Sequence, residues 1–200
     1  MEKYWEESIS FKIQQKKKEW LSFMEEVSKN EITYCLEIGC YDGGTTVFLS
    51  NFCKNLITID QPTPARFEQF KYTHGDSSIS GIQYIEDKCN FNYVGGNSHG
   101  DDTLQKVKEL LGENKLDLLF IDGDHSYNGV KSDFNMYSNL VKSNGMIAFH
   151  DIHNSKFHEQ HGCFVHRFWE ELISDNREHK TFYDNEQNAV WGGIGLIYKA

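Results

Sequence analysis

Four short apolar runs dominate the chain: TYCLEIGC (Thr33–Cys40), LITID (Leu56–Asp60), LDLLFID (Leu116–Asp122) and MIAFHDI (Met146–Ile152). They read as near-continuous apolar segments, the signature of strands covered on both faces. Stretches of helical period separate them. Gly43-Gly44-Thr45-Thr46 opens one that runs through Phe48 and Leu49. Leu104, Val107 and Leu111 mark a second, capped by Asp101 or Asp102. Tyr127, Val130, Phe134 and Tyr137 share one face of a third, over Ser126–Val141. Strands alternating with helices predict an α/β chain: a mostly parallel sheet with helices on both faces.

The flanks extend this pattern. Trp20, Phe23, Met24 and Val27 recur at helical spacing within Phe11–Asn30. Residues 1–30 therefore read as a helical segment packed on a domain spanning 31–200. Phe67–Tyr72 reads as a short helix and Phe91–Val94 as a strand; Phe164, Phe168 and Leu172 mark a last helix. Thr181–Tyr183 and Gly193–Tyr198 read as closing strands.

Charge and cysteine usage narrow the function classes. A net charge of −10 repels phosphate backbones and argues against a nucleic-acid partner. The cluster Lys16-Lys17-Lys18 reads as the solvated face of the first helix. The five cysteines form no C-x-x-C pair, which suits reduced thiols in the cytoplasm. The opening residues lack the apolar core of a signal peptide, and no apolar run is long enough for a membrane span.

In a parallel sheet, ligands bind beyond the carboxyl ends of the strands. Polar residues gather there: Glu37 and Gly39 on the first run, Asp60 on the second, Asp122 on the third, His150 and Asp151 on the fourth. The bend Glu37-Ile38-Gly39-Cys40-Tyr41-Asp42-Gly43 leads into a helix, and its glycines permit a sharp turn and close approach of a ligand. Asp60, at the tip of the second strand, is placed to accept hydrogen bonds from ribose hydroxyls. A nicotinamide site expects G-x-G-x-x-G, whereas this bend reads G-C-Y-D-G-G. A packing turn with no ligand is the other reading. Asp122 and Asp151 end neighbouring strands, about 5 Å apart in such a sheet, and can converge on one ion. Their carboxylates suit Mg²⁺; the nearby imidazoles suit Mn²⁺, Fe²⁺ or Zn²⁺.

The acid–glycine bend and the second-strand acid resemble class I S-adenosylmethionine (SAM) dependent methyltransferases. Glu37, Gly39 and Gly43 match the first motif of that family, and Asp60 matches the second. The resemblance implies a Rossmann-like three-layer α/β/α sandwich, with a mostly parallel seven-stranded sheet and an antiparallel last strand. It also places Gly39–Gly43 under the methionine part of SAM, with Tyr41, Thr45 and Thr46 close by. Gly96-Asn97-Ser98 resembles the family's next motif, which puts Asn97 near the adenine; the segment is also a plain turn signal.

The pattern I-D-G-D-H-S-Y with a later F-H-D is similar to a branch holding macrolide and polysaccharide sugar O-methyltransferases and cephalosporin-hydroxylase-like proteins. That likeness runs from Tyr34 to Ile152. It implies a divalent metal held by Asp122, His150 and Asp151, with Asp122 also near the cofactor and His125 as the base. The branch usually carries an acid where this chain has His150. Asp124 either orients His125 or caps the helix after Ser126. His153, His158, His161 and His166 read as loop residues or pocket lining. The acceptor implied is a small molecule, a sugar or glycoside among the candidates, and a homo-oligomer is compatible with the resemblance. A methyltransferase acting on nitrogen and a non-catalytic SAM-binding domain are the alternatives.

Overall fold

In the computed structural model the described residues are 1–61, 71–74, 77–175, 177–184 and 190–200, with the backbone alone described for 71–74 and 77–81. The strands of the main sheet are β1 (Ile32–Ile38), β2 (Cys53–Asp60), β5 (Asn90–Gly95), β6 (Leu116–Ile121), β7 (Val141–His150), β8 (His179–Phe182) and β9 (Ile194–Tyr198). A separate two-stranded sheet pairs β3 (Lys71–His74) with β4 (Ser77–Ser80). The seven-stranded sheet has the order β5-β2-β1-β6-β7-β9-β8. Neighbours from β5 to β7 are parallel, with Glu37 opposite Thr58 and Phe120. The last strand, β9, is inserted between β7 and β8 and runs antiparallel to both.

The apolar runs became buried strands because helices cover both faces of the sheet. All six residues of β6 are buried. One face carries α1 (Glu2–Ile9), α2 (Lys17–Val27), α3 (Gly44–Ser50) and α4 (Gly81–Glu86). The other carries α5 (Asp101–Leu111), α6 (Tyr127–Tyr137) and, after the short α7 (Lys156–Gln160), α8 (Val165–Ile173). This is the Rossmann-like three-layer sandwich. Trp20 of α2 is the hub of the first face, edge-on to Phe48 at 5.6 Å and to Phe120 at 5.3 Å. On the second face Phe149 of β7 meets Phe134, Phe168 and Trp169.

Several elements depart from the sequence reading. The N-terminal segment holds two helices, and residues 10–16 cross between them as an irregular strap. Helix α1 buries little besides Trp5 and Ser8, too few positions for a periodic signal. The cap of α5 is Gly100, while Asp101 and Asp102 sit in its first turn, where the helix dipole favours acids. Helix α6 is capped by Ser126, whose Oγ accepts from the Gly129 N–H; it tightens into a 3-10 turn at Ser138–Leu140. Asn144-Gly145 interrupts β7 without ending it: the β6–β7 register shifts here and Asn144 takes φ 59°. The expected helix at Phe67–Tyr72 lies outside the described residues up to Phe70, and Lys71 and Tyr72 are strand. The five cysteines are buried and unpaired by disulfides. Among the described residues no helix is long and apolar enough to cross a membrane.

Candidate active site

The carboxyl ends of β1, β2, β6 and β7 meet at one rim of the sheet, where the acid–glycine bend turns across the end of β6. Gly39 has φ 87°, and a Cβ there would lie 2.1 Å from the Asp122 carbonyl oxygen, so only glycine fits. Asp60 braces the bend: its Oδ2 accepts the N–H groups of Cys40 and Tyr41, each at 2.9 Å, and its Oδ1 accepts that of Gln61 at 2.6 Å.

Glu37 faces inward. Its Oε2 accepts the hydroxyls of Thr46 (2.6 Å) and Thr58 (2.9 Å), tying α3 to β1 and β2. Burial raises its carboxyl to about 7, opposed by hydrogen bonds from threonine hydroxyls. Its Oε1 has no hydrogen-bond partner among the described residues. Gly43 precedes α3 with φ 88°.

Two connected cavities open above the rim. The first, about 300 Å³, lies between the bend and the N-terminal strap, with Gly39, Tyr41 and Thr45 on one side and Lys12 and Gln15 on the other. The second, about 490 Å³, extends over Asp60, Asn97 and His99. Gly39, Tyr41, Asp122 and His125 line both. Of the cofactor residues expected from sequence, Gly39, Tyr41, Thr45, Asp60, Asn97 and Asp122 thus face the cavities, while Glu37, Gly43 and Thr46 shape the bend from behind. Trp191 lines the first cavity. Tyr127 instead bonds Glu171 and Lys131 through its hydroxyl, away from both cavities.

Where the cavities join, carboxylates and imidazoles interleave. His125 Nε2 lies 3.2 Å from Asp122 Oδ1 and 3.6 Å from Asp151 Oδ2. Burial alone would lower the His125 pKa; the hydrogen bond it donates to Asp122 and the charges of Asp122 and Asp151 override it and hold it at about 9. His150 is 3% exposed, with Nδ1 3.2 Å from Asp122 Oδ1 and Nε2 3.2 Å from Glu19 Oε1. Burial disfavours its charge, but the two aspartates raise its pKa well above the ordinary histidine value. His158 adds a third ring at 3.3 Å from Asp151 Oδ1, and against the cost of burial that bond lifts it to about 10. Asp122 and Asp151 are in turn held below the ordinary carboxylate range, burial notwithstanding, chiefly by the charge of His150. Asp151 adopts φ 62°, a backbone state costly for a non-glycine residue. Asp124 accepts the Ser126 N–H at 2.9 Å, which supports the start of α6.

Sequence reasoning missed Gln15, Glu19, His158 and His99. Gln15 Nε2 donates to Asp122 Oδ2 at 2.6 Å across 107 positions, and Glu19 reaches His150 across 131. His99 stands 3.3 Å from the fully buried Asp133, whose carboxyl burial raises to about 6. No local spacing could have disclosed these pairs.

The geometry also departs from the expected metal set. Ligand atoms of Asp122, His125 and Asp151 lie within 4.8 Å of one another, as do those of Asp151, His158 and Cys163. His150 belongs to neither group; its Nδ1 lies 3.2 Å from Asp122 Oδ1 and its Nε2 3.2 Å from Glu19 Oε1.

A family model described as a methyltransferase domain matches residues 36–152, more than half of the chain and all of this rim. The chain belongs to that methyltransferase family. The chain is similar to the uncharacterized protein R132 of Acanthamoeba polyphaga mimivirus, 33% identical over 137 residues, covering 66% of this chain and 57% of the relative. The chain thus spans a little over half the length of that relative. Among solved structures it resembles the O-methyltransferase of Bacillus cereus in complex with SAH, at TM-score 0.66 and 17% identity, covering 98% of this chain and 91% of that one. It also resembles the N-methyltransferase NodS of Bradyrhizobium japonicum, at TM-score 0.62 and 12% identity over 90% and 93% of the two chains. At these identities the likeness to solved structures is one of fold.

Proposed function

We propose that this methyltransferase uses SAM to methylate a hydroxyl of a small molecule, a sugar or glycoside being the leading class, with His125 as the base. The observation that carries the reading is the position of His125 Nε2, between Asp122 and Asp151 at the junction of the two cavities. The second cavity, with Asp60 at its edge, suits the adenosine half of the cofactor, and the first, against the glycine bend, suits the methionine half.

When bound, SAM supplies a methyl group already activated by its sulfonium. The chain has to align the acceptor, exclude water and hold a proton. His125 receives the hydroxyl proton at Nε2 as the new bond forms, and Asp122 and Asp151 stabilise the resulting imidazolium. With a pKa of about 9, His125 is mostly protonated at neutral pH, so the base form is a minority that grows with alkalinity. Asp60 accepts from a ribose hydroxyl while bracing the bend.

The donor set does not fit Mg²⁺. Magnesium wants oxygen ligands in octahedral array, and His150 brings a charged ring whose nitrogens are both taken. His125 and His158 further neutralise Asp122 and Asp151. In this reading the chain's own imidazoles occupy the carboxylates that a divalent ion would need. The test is calorimetric binding of S-adenosylhomocysteine, followed by transfer of labelled methyl from SAM to a panel of sugars and other hydroxyl compounds. Transfer to amines alone would replace the oxygen reading with a nitrogen one, and binding without transfer to any acceptor would favour a non-catalytic domain.

A further inference from the structure

Residues 12–16 lie over the first cavity and are pinned at four points. Lys12 pairs with Asp42 at 3.4 Å. Ile13 packs so closely on Gly44 that a Cβ there would meet the Ile13 backbone at 2.4 Å. Gln15 Nε2 donates to Asp122 Oδ2 at 2.6 Å. The Lys16 ammonium sits 4.8 Å from the centre of the Trp191 ring.

Gln15 is 6% exposed, and its Oε1 has no hydrogen-bond partner among the described residues. The orientation of this amide is dictated by chemistry. Only its nitrogen can donate to a carboxylate, so the oxygen must point elsewhere. A buried carbonyl oxygen left unpaired is costly, and such groups are normally satisfied by protein, water or ligand. Gln15 lines the first cavity, opposite the glycine bend. We infer that Gln15 is a cofactor-binding residue whose Oε1 accepts a hydrogen bond from the α-ammonium of the methionine moiety. The ammonium is the strong N–H donor at that end of SAM, and the strap lies over the bend through the Ile13–Gly44 contact. Asp122 then fixes the carboxamide so that the strap closes on the amino-acid end of the cofactor.

The inference rests on the SAM reading, and the experiment separates the two. Wild-type protein, Q15A and Q15M are titrated calorimetrically with S-adenosylhomocysteine and with 5′-methylthioadenosine, which keeps the nucleoside and sulfur but lacks the amino-acid group. Both variants should weaken S-adenosylhomocysteine about tenfold, the loss of one charge-assisted hydrogen bond. Methylthioadenosine binding should stay within about twofold, since no such bond is removed. Q15M keeps the length of the side chain, so it reports on the acceptor atom even if Q15A loosens the strap, and thermal melting checks both folds. Equal losses for the two ligands would make the strap mere packing, and no loss for either would remove Gln15 from the site; each overturns the inference. Failure of the wild-type protein to bind either ligand would instead retire the SAM reading.

Discussion

His150 Nε2 lies 3.2 Å from Oε1 of Glu19, joining the end of β7 to the first turn of α2 in a buried ion pair. The other Glu19 oxygen accepts the Gly193 N–H at 2.8 Å, so one carboxylate ties α2, β7 and the turn before β9 together. Removing one partner of a buried pair leaves an uncompensated charge. E19A should therefore cost about 3–5 kcal/mol of stability, and E19Q less. Urea unfolding measures both; a loss of under 1 kcal/mol in E19A would show that the pair contributes little.

Stability should fall on both sides of a mildly acidic optimum. His125, His150 and His158 have folded pKa values raised above the ordinary 6.5, so their stabilisation is complete below that pH. It is lost as pH rises through about 9 to 10 for His125 and His158. Asp122 and Asp151 are lowered from 3.8, so their contribution is present above that value and is lost as pH falls further. Urea midpoints measured across this range should trace such a dome. Stability that climbs through the alkaline limb would contradict the raised histidines.

H125A should retain S-adenosylhomocysteine affinity and lose about 10²- to 10⁴-fold in turnover, the usual share of a general base. In the wild type, turnover should rise about tenfold per pH unit and level off near pH 9, because only neutral His125 takes the proton. A rate independent of pH over that interval, or full turnover in H125A, removes the base assignment.

Methyl transfer should be insensitive to EDTA and unimproved by added Mg²⁺ or Mn²⁺. The physical reason is that His125 and His150 already face the carboxylates of Asp122 and Glu19. Loss of turnover in EDTA with recovery on adding metal would overturn it and would return Asp122, His125 and Asp151 to consideration as ligands.

G39A should bind S-adenosylhomocysteine poorly. The left-handed backbone alone costs roughly 1–2 kcal/mol for a residue with a Cβ. The added atom also meets the Asp122 carbonyl, which would push the bend away from β6. Calorimetry together with thermal melting distinguishes a shifted bend from general unfolding.

Much of this was legible in the linear chain. Continuous apolar runs can be stable only when covered on both faces, so TYCLEIGC, LITID, LDLLFID and MIAFHDI determined a parallel, helix-covered sheet. Residues at the ends of those runs had to share one rim, which is why Gly39, Asp60, Asp122, His125 and Asp151 were found together. Tertiary structure alone decided what stands opposite them. The strap from residue 12 to 16, Gln15 on Asp122 and Glu19 on His150 are contacts between distant segments, set by how α2 packs on the sheet; His158 reaches Asp151 through the fold of the loop after β7. Local propensity carries no record of such pairings. Whether His150 is a ligand or a buried cation is a question about the charges around it, and Glu19 comes to it from 131 positions away.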